Sequence, residues 1–147
     1  VYQQLSIGLH EAQTAIEVGL TEARKDGKNM AVAVVDAGGH LIGCARLDGT
    51  HERVLRFAIR KAYTAAIMGR STVDFKAELA EYGRTLADYG DPQFTTLQGG
   101  EPVKIGGKVV GAVAVGGNSA QRDKAISQLV LQAVVEAAEA SMAGGRS

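Results

Sequence analysis

A chain of 147 residues with 46% apolar side chains is long enough to bury a core and too apolar to be disordered by composition. Sixteen basic residues balance sixteen acidic ones, so no net field draws it onto nucleic acid or a membrane surface. A single cysteine, Cys44, excludes an internal disulfide and a cysteine-built zinc finger, and no apolar run is long enough to cross a bilayer. The lone thiol and the absence of a visible signal peptide predict a cytoplasmic location, with secretion open if a leader has been removed.

In chain order, Leu5 to Lys25 reads as a helix on Leu5, Leu9, Ala12, Ile16, Leu20 and Ala23, which recur every three or four residues, with Gly27 placed to stop it. Ala31 to Leu47 reads as a β-hairpin. Ala31 to Val35 is a continuous apolar run, expected of a strand covered on both faces; Asp36-Ala37-Gly38-Gly39 supplies the turn, and His40 to Leu47 returns. Asp48-Gly49-Thr50 is a second turn, with Thr50 the expected cap of a helix from Val54 to Gly69. That helix buries Val54, Phe57, Ala58, Ala62, Ala65 and Ala66, a small-residue face suited to close approach by a sheet or another subunit. Ser71 or Thr72 caps a third helix running to about Asp88, with Phe75, Leu79, Tyr82, Leu86 and Tyr89 as its stripe, and Gly90-Asp91-Pro92 ends it. Phe94 to Ile105 is irregular and holds one or two short strands. Gly106-Gly107 turns the chain into a strand at Val109 to Val115. After Gly116-Gly117-Asn118-Ser119, where Asn118 and Gln121 have capping-box spacing, the last helix runs from Ala120 to about Ala143 on Ile126, Leu129, Val130, Ala133, Val134 and Ala137. Strands joined by tight turns are antiparallel, so the pattern is α+β, one domain over residues 1–147.

Specific words in these elements resemble the GlcG/HbpS-like family, also called the haem-degrading domain family, which includes the C-terminal domain of PduO-type proteins. They are Val34-Val35-Asp36-Ala37-Gly38-Gly39-His40-Leu41, Arg46-Leu47-Asp48-Gly49, Ala58-Ile59-Arg60-Lys61-Ala62 with Thr64-Ala65-Ala66, Gly99-Gly100-Glu101-Pro102-Val103, and the run from Gly106 to Gly117. The resemblance spans about Ala12 to Ala138 and departs from the family pattern at Thr50 to Arg53, Ala77 to Asp91 and Gly117 to Asp123. It implies a profilin-like antiparallel sheet flanked by helices, a symmetric homo-oligomer from dimer up to octamer, and haem as a ligand of some members, which sense redox state or degrade haem. Family membership determines fold far better than function.

Among candidate site residues His51 ranks first. It follows a strand end in a turn with Asp48, Thr50, Glu52 and Arg53, and a neutral imidazole there can ligate iron or move protons. The alternative is an exposed helix-start histidine. Arg53, Arg56 and Arg60 form one basic helix face that can hold carboxylates such as haem propionates, or serve as a solvated or intersubunit ion-pairing face. Gly116, Gly117 and Asn118 lead into a helix N-terminus, where free N–H groups attract anions, although capping alone explains Asn118 and Ser119. Glu78 and Glu81 form an ExxE pair, a weak iron-site signal more often seen as surface charge. His40 belongs to hairpin architecture and His10 to a solvated face; Tyr63, Tyr82 and Tyr89 read as packing, and Cys44 as a small buried apolar residue. Three readings follow: a haem- or tetrapyrrole-binding oligomer, implied by the resemblance and with haem degradation or a redox role within its range; an enzyme on a small anionic or carbonyl metabolite at an intersubunit pocket, with His51 as acid/base and Arg53 or Arg56 as clamp; and a non-catalytic accessory or assembly protein. All three take the chain itself as partner; the first two add a small-molecule ligand, and none needs nucleic acid or membrane.

Overall fold

The apolar run forms β1 (Ala31–Asp36), and the Asp36 carboxylate accepts the Gly38 and His40 N–H groups, each at 2.9 Å, to make the turn into β2 (Leu41–Arg46). The second hairpin is β3 (Gly100–Ile105) and β4 (Lys108–Gly116). In the computed structural model, which describes residues 1–144, all four strands share one antiparallel sheet in the order β2-β1-β4-β3, with Ala33 opposite Cys44 on one side and Ala114 on the other. The expected common sheet for the two hairpins is therefore present.

The sheet has two different faces because β1 and β4 alternate small and large residues at a period of two. Ala31, Ala33, Val35, Ala112 and Ala114 face α2 (Glu52–Met68), which answers with Ala58, Ala62, Ala65 and Ala66. Val32, Val34, Val113 and Val115 face α1 (Leu9–Asp26) and α4 (Ala120–Ala143), where they meet Ala12, Ala15, Ala23, Ile126, Val130 and Val134. The small-residue face of α2 is thus covered by the chain's own sheet. It does not offer the surface for a second copy that the sequence made it a candidate for, since Ala58, Ala62, Ala65 and Ala66 are already buried in one cluster with β1 and β4.

Other expectations shift by part of a turn. In α1 Ala12, Ala15, Gly19 and Ala23 are buried, with Ile16 and Leu20 half-buried against the same core, while Leu5 and Leu9 stay exposed; a Cβ at Gly19 would come within 2.5 Å of a Val32 methyl, so at that position the helix lies too close to the sheet for any side chain. Phe57 is exposed and Leu129 likewise, and on α2 the buried place goes to Lys61. Three helix starts also differ or resolve. His51, not Thr50, caps α2; Thr50 instead turns inward and donates to the Met30 carbonyl at 3.3 Å. Ser71 caps α3 (Thr72–Tyr82), and Ser119, not Asn118, caps α4, accepting the Arg122 N–H at 3.1 Å. Asn118 has been drawn off by Asp26, to which its amide donates at 2.8 Å. α3 stops at Tyr82, and a short 3-10 turn at Leu86–Tyr89 carries the chain back so that Tyr89 and Phe94 pack edge-on against Phe75.

Candidate functional site

The predicted residues separate into two places. The first is the N-terminal end of α2. His51 has extended backbone, and its Nδ1 accepts the Arg53 N–H at 3.1 Å. A neutral imidazole that accepts at Nδ1 carries its proton on Nε2, so the cap sets the tautomer. His51, Arg53, Arg56 and Asp48 are all exposed. The arginines do not act alike. Arg56 is paired with Glu52, Nη2 to Oε1 at 2.6 Å, which holds the Glu52 carboxyl below its ordinary range. Arg60 donates to the carbonyls of Pro92 and Phe94 at 3.1 and 3.0 Å and so ties α2 to the segment before β3. Arg53 has no hydrogen-bond or ion-pair partner for its guanidinium among the described residues. Arg56 and Arg60 line a shallow cavity with Phe57 and Ile59.

The second place holds Gly116, Gly117 and Asn118. They border a cavity of about 340 Å³ at the end of β4, closed on one side by Val54 and Phe57 and on another by the segment Thr96–Gln98. Its floor is Lys61, only 4% exposed. Lys61 Nζ donates to the carbonyls of Val115 at 2.5 Å and Gln98 at 2.9 Å. Asp123, on the first turn of α4, lies in the same wall and accepts the Asn118 N–H at 3.0 Å. Burial pushes the Asp123 carboxyl up, and Lys61 and the Gly117 and Asn118 amides pull against that. The candidate residues named from sequence do not include Lys61 or Asp123. A signal was present for Lys61: three residues after Ala58 and four before Ala65, it sits on the alanine stripe, where a charged side chain must be buried.

Burial lowers the Lys61 ammonium from its ordinary 10.5 to about 8. Between those values the unfolded chain holds a proton that the native chain has released, so stability rises with pH across that window and is flat with respect to this group below it. The rise is up to about 3 kcal/mol. Urea midpoints taken from pH 7.5 to 9.5 should climb for the wild type and lose that climb in Lys61→Met; parallel curves would assign the slope elsewhere.

The remaining candidates lie apart from both places. Glu78 is ion-paired with Arg70, and Glu78 and Glu81 border an open cavity with Asp74 and Lys104. Among the described residues no group of three or more His, Cys, Asp or Glu side chains is gathered to hold a metal. Tyr63 donates to Asp91 at 2.5 Å, and that bond raises the phenol's pKa and lowers the carboxyl's. His40 is exposed beside Asp36, Cys44 is half-buried on β2, and no helix among the described residues is long and apolar enough to cross a membrane.

Comparison with known proteins places this architecture. The family described as haem degrading protein HbpS-like matches residues 7–132. Protein GlcG of Escherichia coli K12 is 38% identical over 104 residues, covering 71% of this chain and 76% of GlcG. Among solved structures, a double mutant of HbpS from Streptomyces reticuli superposes with a TM-score of 0.80 at 28% identity, covering 93% of this chain and 90% of that one. The structure of a PduOC:heme complex superposes with a TM-score of 0.78 at 21% identity, covering 88% of this chain and 95% of that one, which is a likeness of fold. With the family match running from the segment before α1 into α4, and GlcG matching over most of both lengths, this chain belongs to the HbpS-like family of haem-degrading proteins.

Proposed function

We propose that this protein binds haem or a closely related tetrapyrrole, as a homo-oligomer, at the N-terminal end of α2. The observation that carries this reading is the match to the haem-degrading HbpS-like family over residues 7–132. The donors at that end suit the ligand in kind: an imidazole for iron from His51, and guanidinium groups for propionates from Arg53 and Arg56. Phe57 and Ile59 beside Arg56 add apolar surface for a flat macrocycle. Haem, when bound, supplies a redox-active iron.

One local rearrangement accompanies iron ligation through His51. Nε2 offers a lone pair only when the ring proton sits on Nδ1, and then the Arg53 N–H loses its cap. Such a cap is worth about 1 kcal/mol, small beside an iron–imidazole bond. The Arg56–Glu52 pair is likewise solvent-exposed and gives way at little cost. An exposed imidazole holds iron well only if another surface covers the ring, so the oligomer and the haem site belong to one proposal.

Titration of the purified chain with hemin, followed in the Soret region, is expected to give a saturable spectral shift. His51→Ala should weaken it at least tenfold or move the bound band, and Arg53→Ala should weaken it without moving the band. Sedimentation at micromolar concentration is expected to show a species larger than the 15.3 kDa chain. No saturable shift, or one identical in His51→Ala, overturns the site.

A further inference from the structure

We propose that the cavity above Lys61 is a separate binding site for a small monocarboxylate. Three observations point there. First, the ammonium is built in as the floor: Val115 and Gln98 carbonyls take two of its three N–H groups, which leaves one donor for a ligand. Second, the backbone is bare where a ligand must approach. A Cβ at Gly116 would lie 3.0 Å from Nζ, so glycine at that position keeps the cavity side of the ammonium from being covered by a neighbour's side chain. Third, the charges in the wall sum to a site for one negative charge. Lys61 and Lys76 contribute two positive groups and Asp123 at most one negative group. The Asp123 carboxylate is meanwhile turned to the Gly117 and Asn118 amides of the loop, so it need not compete for the third donor.

Size and lining define the rest of the ligand. A cavity of about 340 Å³ is at the lower end for small-molecule sites. Phe57 and Leu97 are exposed large apolar side chains that sit in its wall. They fit a short apolar body behind the carboxylate, and the volume excludes a whole macrocycle. A carboxylate reaching Lys61 has two sources, a free small acid or the propionate arm of haem; the site is assigned to the free acid.

The test uses butyrate as probe and butyramide, its uncharged isostere, as control. Backbone amide NMR of the labelled chain is expected to show saturable butyrate-induced shifts at Gly116, Gly117, Asn118 and the Thr96–Gln98 segment, and no saturable shift with butyramide. Lys61→Met should abolish saturation. Because that variant removes a buried brace, Leu97→Asp serves beside it: the position is exposed, the fold should tolerate it, and a carboxylate at the rim should weaken butyrate at least tenfold. Lys76→Ala should weaken it several-fold. Equal shifts with butyramide, no saturation with butyrate, or butyrate binding unchanged in Leu97→Asp overturns the proposal. Hemin separates the two sources. If hemin binds the butyrate-saturated chain as it binds the free chain, the sites are distinct as proposed; if hemin displaces butyrate, the two ligands compete for space at Phe57 or for Lys61 itself, and the separate site is overturned. Loss of hemin binding in His51→Ala with butyrate binding intact would leave this site standing whatever becomes of the haem reading.

Discussion

Phe75→Ala should lower the stability of the fold by about 3–5 kcal/mol, the usual cost of deleting a buried aromatic ring. Phe75 is fully buried, and its ring lies 5.4 Å from Tyr89 and 5.8 Å from Phe94, both edge-on. Tyr63 closes the group against Phe94 at 5.8 Å. These four rings join α3, the 3-10 turn and the segment before β3 to α2, a region with no strand of its own to hold it. Deleting the central ring leaves a hole that the neighbours cannot collapse into, because Arg60 and Thr64 of α2 already fix the backbone at Phe94 and Thr95. Urea denaturation measures the loss, and Phe75→Leu should recover most of it. The same variant should speed amide exchange at Thr96–Gln98, since that wall of the Lys61 cavity continues directly from Phe94. A loss under about 1 kcal/mol would mean that the cluster is not a core.

Gly117→Ala should cost on the order of 3 kcal/mol, by two effects. Gly117 has φ +110°, where an L side chain is strained, and its Cβ would stand 2.4 Å from the Asn29 carbonyl oxygen. That oxygen belongs to the backbone entering β1, so it cannot swing away. Gly107 has a positive φ too, at +79°, but a Cβ there meets nothing within 4 Å. Gly107→Ala should therefore show the strain of a milder positive φ alone, about 1 kcal/mol, and the excess loss in Gly117→Ala is the clash together with the harsher φ. Because Gly117 and Asn118 amides hold Asp123, the larger loss should be accompanied by weaker butyrate binding in whatever fraction remains folded. Equal losses for the two variants would remove the close approach to Asn29 as the cause.

Much of the fold was legible along the chain. The run from Ala31 to Val35 and that from Val109 to Val115 announce strands covered on both faces, and Gly38-Gly39 and Gly106-Gly107 announce hairpins, because local backbone chemistry decides a tight turn. The period of α4 was readable for the same reason. The stripe of α1 was read in part: Ala12 and Ala23 are buried and Ile16 and Leu20 pack against the core, but Leu5 and Leu9 stay exposed, and the other buried places go to Ala15 and to Gly19, the latter against Val32, because distance to the sheet is not a local property.

The candidate site divides along the same line. His51 and the arginines could be named because strand end, turn and helix start are sequential neighbours. That Arg60 is occupied by Pro92 and Phe94, more than thirty residues away, could not. Nor could the pairing of Lys61 with the carbonyls of Gln98 and Val115, or the gathering of Asp123 and Gly116 around one cavity. By itself, then, the sequence determined the α+β class, both hairpins and the family, since turns, periodicities and short words are properties of adjacent residues. Only the tertiary structure decided which charges are buried, which helix face meets the sheet, and that a lysine lies at the floor of a cavity, because burial and charge pairing depend on segments the chain brings together from 37 to 54 residues apart.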